Sequence, residues 1–343
     1  MRTGRRASVA RVVAERDVAA SARCPDAEVV RRLPLAVLVG LTVLLCTSPV
    51  MYAGPAAGRE TERTHSYGPR ARQQLVAYRD RTPPPRGEAL PGVVVLHGGF
   101  WYQDRSRGWG AWARRIAGGG AVVFDVDYRR SVDAPWPAQR RDVLRALHWI
   151  RRHAGSLGVD PRRLVLLGSS AGGQLATNVA AYGAGRELLA GAVALSPVVD
   201  PYRAWRDGAA RDGGTVRRGA AVLRSSAAVL AGCDPRRGSG TGRADCLRVW
   251  RDMSAVHHAT GGDDAPMLLV HSRRDFVPPA HSEALRAAER RRGMTADDIR
   301  VVTVPGSEHG GALMRTPAVA ERVLGWIAAR TGPRTERGAA RPP

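Results

Sequence analysis

Residues 159–176 read VDPRRLVLLGSSAGGQLA, an apolar run that passes through a glycine-rich turn into a second apolar segment. The run Leu164–Leu167 predicts a buried strand, and the residues after the turn predict a helix. Between them stands Gly168-Ser169-Ser170-Ala171-Gly172, a G-x-S-x-G pentapeptide. A sharp strand-to-helix turn lifts its central serine out of the sheet, and it needs glycines because a Cβ there would strike the neighbouring backbone. Ser170 is therefore the predicted nucleophile, and Ser169 is interpreted as only its neighbour.

Similar apolar runs recur along the chain and are separated mostly by helix-like stretches. The further predicted strands are Val93–Leu96, Ala121–Val126, Ala192–Leu195, Met267–Val270 and Val301–Val304. The predicted helices are Trp109–Ile116, Ala138–His153, Gly173–Tyr182, His281–Arg291 and Val319–Arg330. The strands show little period-2 alternation, as expected when both faces are covered. Alternating strands and helices predict an α/β fold with a doubly wound, mostly parallel sheet, whose ligand site lies beyond the carboxyl ends of the strands.

The first of these runs is followed by His97-Gly98-Gly99-Phe100-Trp101. Glycines after a strand let backbone N–H groups point into a site, where they can stabilise a tetrahedral oxyanion. We assign this role to the N–H groups of Gly98, Gly99 and Phe100, together with that of Ala171. His97 is interpreted as a structural residue that braces the loop. Trp101 and Tyr102, which follow, are candidate substrate-binding residues.

An acid and a base follow Ser170 in the order that a Ser, Asp, His hydrolase of this architecture uses. Asp275 comes directly after the run Met267–Val270, whereas Asp263 and Asp264 precede that run and would lie at its wrong end. His309 lies in a glycine-bearing loop after the last run, where it can take the proton of Ser170. Ser170, Asp275 and His309 are the predicted catalytic residues.

The other histidines do not indicate a metal or cofactor site. His148 and His153 lie on a predicted helix, and His257 and His258 have no carboxylate or cysteine at ligand spacing. We therefore expect neither a metal nor a cofactor.

The chain carries a formal net charge of +22, a value that often indicates a nucleic-acid partner. However, the chain contains no lysine, and its arginines are scattered from Arg2 to Arg341. A nucleic-acid-binding arm would concentrate charge and interleave aromatic side chains. The charge is therefore interpreted as a compositional bias, and no nucleic-acid partner is expected.

Residues 1–57 are predicted to be an N-terminal leader. The run Leu35–Cys46 has the length of a secretory signal core and is short for a transmembrane span. The alternative is an uncleaved membrane anchor, because Leu33 to Tyr52 can be counted as one longer, interrupted apolar span. The expected location is extracytoplasmic, secreted or membrane-anchored through this segment. Residues 58–330 are the predicted catalytic domain, and 331–343 a disordered tail.

The stretch 198–256 is too long for a plain crossover and is predicted to be a cap insertion over the site. It contains Cys233 and Cys246, the only cysteines outside the leader. Since an oxidising compartment preserves disulfides, we predict that these two residues are bonded to each other.

Five motifs together resemble the α/β-hydrolase superfamily, in the carboxylesterase and lipase branch that includes kynurenine-formamidase-like esterases. They are HGGFW at His97, DYRRSVDAPWPAQRRDV at Asp127, VDPRRLVLLGSSAGGQLA at Val159, HSRRDFVPP at His271 and VPGSEHGG at Val304. The resemblance implies a serine hydrolase acting on small-molecule carboxylic esters. Phe100 stands where many esterases of this branch have a third glycine. The alternatives are a formamidase, another amide hydrolase or peptidase, and a non-catalytic binding protein of the same fold.

Overall fold

The computed structural model describes residues 60–81, 88–104, 108–183, 185–209, 218–238 and 242–332. The chain divides into units of residues 1–54 and 55–343, and every described residue belongs to the second. The predicted leader 1–57 and residues 333–343 of the predicted tail lie outside the described residues.

The described residues contain an eight-stranded sheet with the order β1-β2-β4-β3-β5-β6-β7-β8. Its strands are β1 (Glu60–Ser66), β2 (Gln74–Asp80), β3 (Leu90–Leu96), β4 (Val122–Val126), β5 (Val159–Ser169), β6 (Gly191–Leu195), β7 (Met267–Ser272) and β8 (Ile299–Val304). Strand β2 pairs antiparallel with β1 and β4, and all other neighbours are parallel. The doubly wound, mostly parallel sheet predicted from the sequence is confirmed.

The helices are α1 (Gly110–Ala117), α2 (Ala138–Arg152), α3 (Ala154–Leu157), α4 (Ala171–Ala180), α5 (Gly185–Leu188), α6 (Pro201–Asp207), α7 (Arg218–Ala231), α8 (Arg243–Met253), α9 (Ala255–His258), α10 (Ala280–Arg291) and α11 (Pro317–Thr331). A 3-10 helix spans Gly310–Arg315. Each predicted helix is present with its ends shifted by at most two residues.

Two apolar layers cover the two faces of the sheet. In β3, Val94 and Leu96 contribute to a core that includes α2 and α4, while Val93 and Val95 face a second core with α1 and α11. All four side chains are fully buried. This double coverage explains why the strands read as continuous apolar runs.

The segment predicted as a cap contains the helices α6 to α9, and its described residues 208–209 and 232–238 form turns between them. Cys233 and Cys246 form a disulfide within it, as predicted. The Asp252 carboxylate on α8 accepts hydrogen bonds at 2.9 Å from both terminal nitrogens of Arg140 on α2. It also accepts one from Trp136 Nε1 at 2.6 Å, so polar contacts anchor α8 to the main domain.

Within the described part of the chain, no helix combines the length and apolar character that a membrane span requires. The apolar run Leu35–Cys46 lies outside the described residues.

Candidate active site

Ser170 occupies the turn between β5 and α4 with an unusual backbone conformation, φ 53° and ψ −112°. A non-glycine residue in a sparsely populated region costs on the order of 1–3 kcal/mol and persists only where its surroundings impose it. The constraint includes the hydrogen bond from Ser170 N to Leu195 O on β6, at 2.8 Å. Such strain at the end of a central strand is typical of a functional residue.

The two glycines of the pentapeptide are required by backbone contacts. A Cβ on Gly168 would lie 2.3 Å from the carbonyl oxygen of Gly172, and one on Gly172 would lie 2.1 Å from that of Leu96. Both separations are far below van der Waals contact. The tight approach of α4 to β3 and β5 therefore needs glycine at both positions.

His309 joins the serine to an acid. Its Nε2 lies 2.8 Å from Ser170 Oγ, and its Nδ1 lies 2.8 Å from Asp275 Oδ1. Because a carboxylate only accepts, Nδ1 carries the proton and Nε2 is left to accept from the serine hydroxyl. The structure thus brings the three predicted catalytic residues into one hydrogen-bonded chain.

The loop after β7 fixes the acid. Asp275 is 3% exposed, and its Oδ1 also accepts a hydrogen bond from Val277 N at 3.0 Å. The buried His271 holds the same loop, since its Nδ1 donates to Val277 O at 3.1 Å while its Nε2 accepts from Ser282 Oγ at 2.7 Å. Burial lowers the pKa of His271 to about 4, so it is a neutral brace at physiological pH.

The loop after β3 lies against the serine. A Cβ on Gly98 would be 3.3 Å from Ser170 Cβ. Gly99, Phe100 and Trp101 follow with positive φ values of 114°, 53° and 62°, a run that reverses the chain tightly. The first N–H groups of α4, including that of Ala171, have no partner within the helix. Backbone donors from both segments therefore flank Ser170.

His97 supports this loop through contacts of its ring and its carbonyl oxygen with Tyr128, as expected. Its ring stacks on Tyr128 with centroids 4.4 Å apart, and Tyr128 Oη donates to His97 O at 2.7 Å. Beside it, Arg130 donates to the Asp127 carboxylate and, through Nε, to Gln103 O at 3.1 Å. Burial alone would raise the pKa of Asp127, but the nearby His97 ring and the hydrogen bond from Arg130 outweigh it and hold that pKa below its ordinary value. A charged network thus supports the loop.

A cavity of about 550 Å³ opens over Ser170 and His309. Its lining residues are Gly98, Gly99, Phe100, Gln103, Gly108, Trp109, Trp112, Ser169, Ser170, His309, Gly311, Ala312 and Arg315. Sequence reasoning missed the two tryptophans and Arg315, because their position over the site depends on how α1 and the 3-10 helix pack.

The structure does not bring the two predicted substrate-binding residues into this cavity. Trp101 is 1% exposed in the core, where its Nε1 donates to Gln174 Oε1 at 3.0 Å, so it supports the loop from behind. This placement corrects the prediction for Trp101. Tyr102 is exposed, stacks against Phe100 with centroids 6.3 Å apart and does not line the cavity, and its predicted role has no support from this geometry.

Two further residues near the site had no assigned role. Phe276 packs between Phe100 and His309, with ring centroids 6.0 Å and 4.1 Å away. Ser169, interpreted as only a neighbour of the nucleophile, accepts a hydrogen bond on Oγ from Gly311 N at 2.8 Å.

In the described residues, no group of three or more His, Cys, Asp or Glu side chains is arranged to hold a metal ion.

Comparison with known proteins identifies a family that the chain matches. A family model described as alpha/beta hydrolase fold matches residues 93–313. The carboxylesterase NlhH of Mycobacterium tuberculosis is 39% identical over 99 residues, which are 29% of this chain and 31% of that protein. The esterase LipC of the same organism is 28% identical over 258 residues, 72% of this chain and 59% of LipC. The chain thus spans about a third of the length of the first curated relatives that it matches.

Solved structures share the fold. Esterase B of Lactobacillus rhamnosis superposes with a TM-score of 0.62 at 19% identity, covering 80% of this chain and 86% of that one. A truncated carbohydrate esterase from gut microbiota gives a TM-score of 0.63 at 20% identity, covering 81% and 99%.

Proposed function

This chain belongs to the α/β-hydrolase family, and from that premise we propose that it is a serine hydrolase that cleaves carboxylic esters through an acyl-enzyme. The observation that carries the proposal is the continuous hydrogen-bonded chain from Ser170 through His309 to Asp275. The similarity of this protein to proteins named carboxylesterase and esterase supports the choice of esters as substrates.

In the proposed mechanism, Ser170 Oγ attacks the ester carbonyl carbon while His309 Nε2 takes the hydroxyl proton. The resulting imidazolium is stabilised by the buried Asp275 carboxylate. When the tetrahedral intermediate collapses, the C–O bond to the alcohol breaks and His309 returns the proton to the leaving oxygen. Water then attacks the acyl-enzyme with His309 again as base, which releases the acid and restores Ser170.

Stabilisation of the oxyanion is assigned to the N–H groups of Gly98, Gly99 and Phe100 on one side and of Ala171 on the other. Each fixed donor of this kind contributes about 3–4 kcal/mol to lowering the barrier. The proximity of Gly98 to Ser170 and the tight turn after it support this assignment.

The cavity supports small or medium esters as substrates. Its volume of about 550 Å³ is in the range of small-molecule sites, and Phe100, Trp109 and Trp112 give it apolar aromatic walls. Phe100 belongs to the loop after β3 and lines the cavity, so its ring restricts the space beside the reacting carbonyl.

The test is steady-state hydrolysis of p-nitrophenyl esters from acetate to octanoate by residues 58–343, beside the Ser170→Ala variant. We expect turnover of the shorter esters and a loss of at least a thousandfold in kcat for the variant. Ester turnover that survives in a folded Ser170→Ala protein would refute the proposal. An aryl formamide in the same panel distinguishes ester from amide preference.

We also propose an extracytoplasmic location, supported by the disulfide between Cys233 and Cys246. Fractionation of the producing cell tests this, and recovery of the protein in the cytosol with both thiols reduced would contradict it.

A further inference from the structure

The loop after β8 has to bring His309 from the edge of the sheet to Ser170. Strand β8 lies at the sheet edge, and β7 and β6 separate it from β5, whose end carries Ser170. The loop after β8 must therefore carry His309 back across two strands. A side chain that transfers a proton needs a fixed position, because a misplacement of about 1 Å can cost a hundredfold in rate.

The loop is fastened directly after His309. Gly310 N donates to Ser196 Oγ at 2.9 Å, and Gly311 N donates to Ser169 Oγ at 2.8 Å. Ser196 follows β6, and Ser169 is the last residue of β5. Since Ser169 pairs with Leu195 in the sheet, the two hydroxyls stand on neighbouring strand ends.

The backbone conformations of Ser196 and Gly310, on the two sides of these hydrogen bonds, are both restricted. Ser196 is fully buried and adopts φ 50°, an unusual conformation that is held by its N–H bond to Val270 O at 2.7 Å. Gly310 adopts φ 58°, and a Cβ there would lie 2.5 Å from Ser169 Oγ. Only a glycine backbone comes close enough to use both hydroxyls.

We propose that Ser169 and Ser196 are positioning residues for the reaction: their hydroxyls clamp the Gly310–Gly311 backbone and thereby hold His309 over Ser170. This inference rests on the proposed serine-hydrolase function. The clamp acts on the base, so its loss lowers kcat. Ser196 is fully buried and should leave KM unchanged, whereas Ser169 also lines the cavity.

The test compares Ser169→Ala, Ser196→Ala and the double variant with the wild type on p-nitrophenyl acetate. Ser226→Ala is the matched control, because that buried hydroxyl donates to Val222 O of its own helix at 2.7 Å and is remote from the Gly310–Gly311 backbone in sequence. We expect each clamp variant to lose ten- to a hundredfold in kcat, with KM within twofold for Ser196→Ala, and Ser226→Ala to keep full activity. The double variant should lose less than the product of the two single effects, because both hydroxyls hold one loop.

Folding is monitored by thermal unfolding of every variant. Full kcat in both folded single variants, or a lowered Tm with unchanged kcat, would overturn the inference by reducing the serines to structural contacts. A wild type without ester turnover would instead contradict the proposed function itself, so the two failures are distinguishable.

Discussion

The ring of Phe276 packs on the imidazole of His309 with the two centroids 4.1 Å apart. Phe276 directly follows the acid Asp275, so one short loop supplies both the hydrogen-bond partner of His309 and an apolar cover. On its far side Phe276 meets α7, where a Cβ on Gly219 would lie 2.8 Å from the ring. The predicted cap segment, residues 198–256, thus contacts the site through Phe276.

Replacing Phe276 with alanine should lower kcat about tenfold, because water would reach the His309–Asp275 pair and weaken their interaction. The Phe276→Leu variant keeps an apolar cover and should retain most of the activity. Steady-state kinetics on one short ester measures both. Equal kcat values for the alanine variant and the wild type would show that the cover has no catalytic effect.

The Asp275→Asn variant should lose about 10³ to 10⁴ in kcat, because an amide can donate to Nδ1 and so favours the wrong tautomer of His309. The matched control is Asp263→Asn, since Asp263 precedes β7 at the opposite end of the strand from the site. This control should leave kcat unchanged. A loss of activity in both variants would argue against a specific role for Asp275.

The Gly172→Ala variant should fail to accumulate as folded protein, because its Cβ would lie 2.1 Å from the Leu96 carbonyl oxygen. The control is Gly262→Ala, where an added Cβ meets no atom within 4 Å. Soluble yield and thermal unfolding compare the two variants. A stable Gly172→Ala protein with wild-type Tm would contradict the close packing of α4 on β3.

The double replacement of Cys233 and Cys246 by serine should lower the free energy of unfolding by ~3 kcal/mol, the value expected for a short closed loop. The bonded residues are 13 apart in sequence. Equilibrium urea unfolding measures the loss, and a reductant should produce it in the wild type but not in the variant. Identical unfolding curves for the two proteins would exclude a stabilising disulfide.

Asp125 makes stability depend on pH. It lies buried in β4, and burial together with the nearby Asp127 raises its pKa to about 8. Between the ordinary pKa of an aspartate and about 8, the folded state binds a proton that the unfolded state has released, so stability falls as pH rises. Asp125→Asn should therefore flatten this decline and stabilise the protein most at pH 8 and above. Urea unfolding from pH 5 to 9 tests it, and parallel pH profiles for both proteins would contradict it.

The sequence predicted the central parallel strands, and it singled out the three residues that the structure joins in one hydrogen-bonded chain, because buried strands leave continuous apolar runs and this fold places its chemistry at their ends. It did not predict β1 or β2. The β1 segment ETERTHS is polar, since an edge strand needs no continuous apolar run, and the β2 segment QLVAYRD mixes buried with partly exposed residues. The walls of the cavity and the clamp residues Ser169 and Ser196 were also missed. Their roles arise from contacts between segments far apart in the chain, which no local pattern records. The error for Trp101 has the same origin, because an aromatic residue in a glycine loop can point into the site or into the core.

The most direct measurement is reaction of purified residues 58–343 with a fluorophosphonate probe, followed by mass mapping of the modified peptide. We predict a single modified residue, Ser170, with no labelling of the Ser170→Ala variant or of heat-denatured protein. A folded wild-type protein that remains unlabelled, or a Ser170→Ala variant that is labelled equally, would contradict the account of Ser170 as an activated nucleophile.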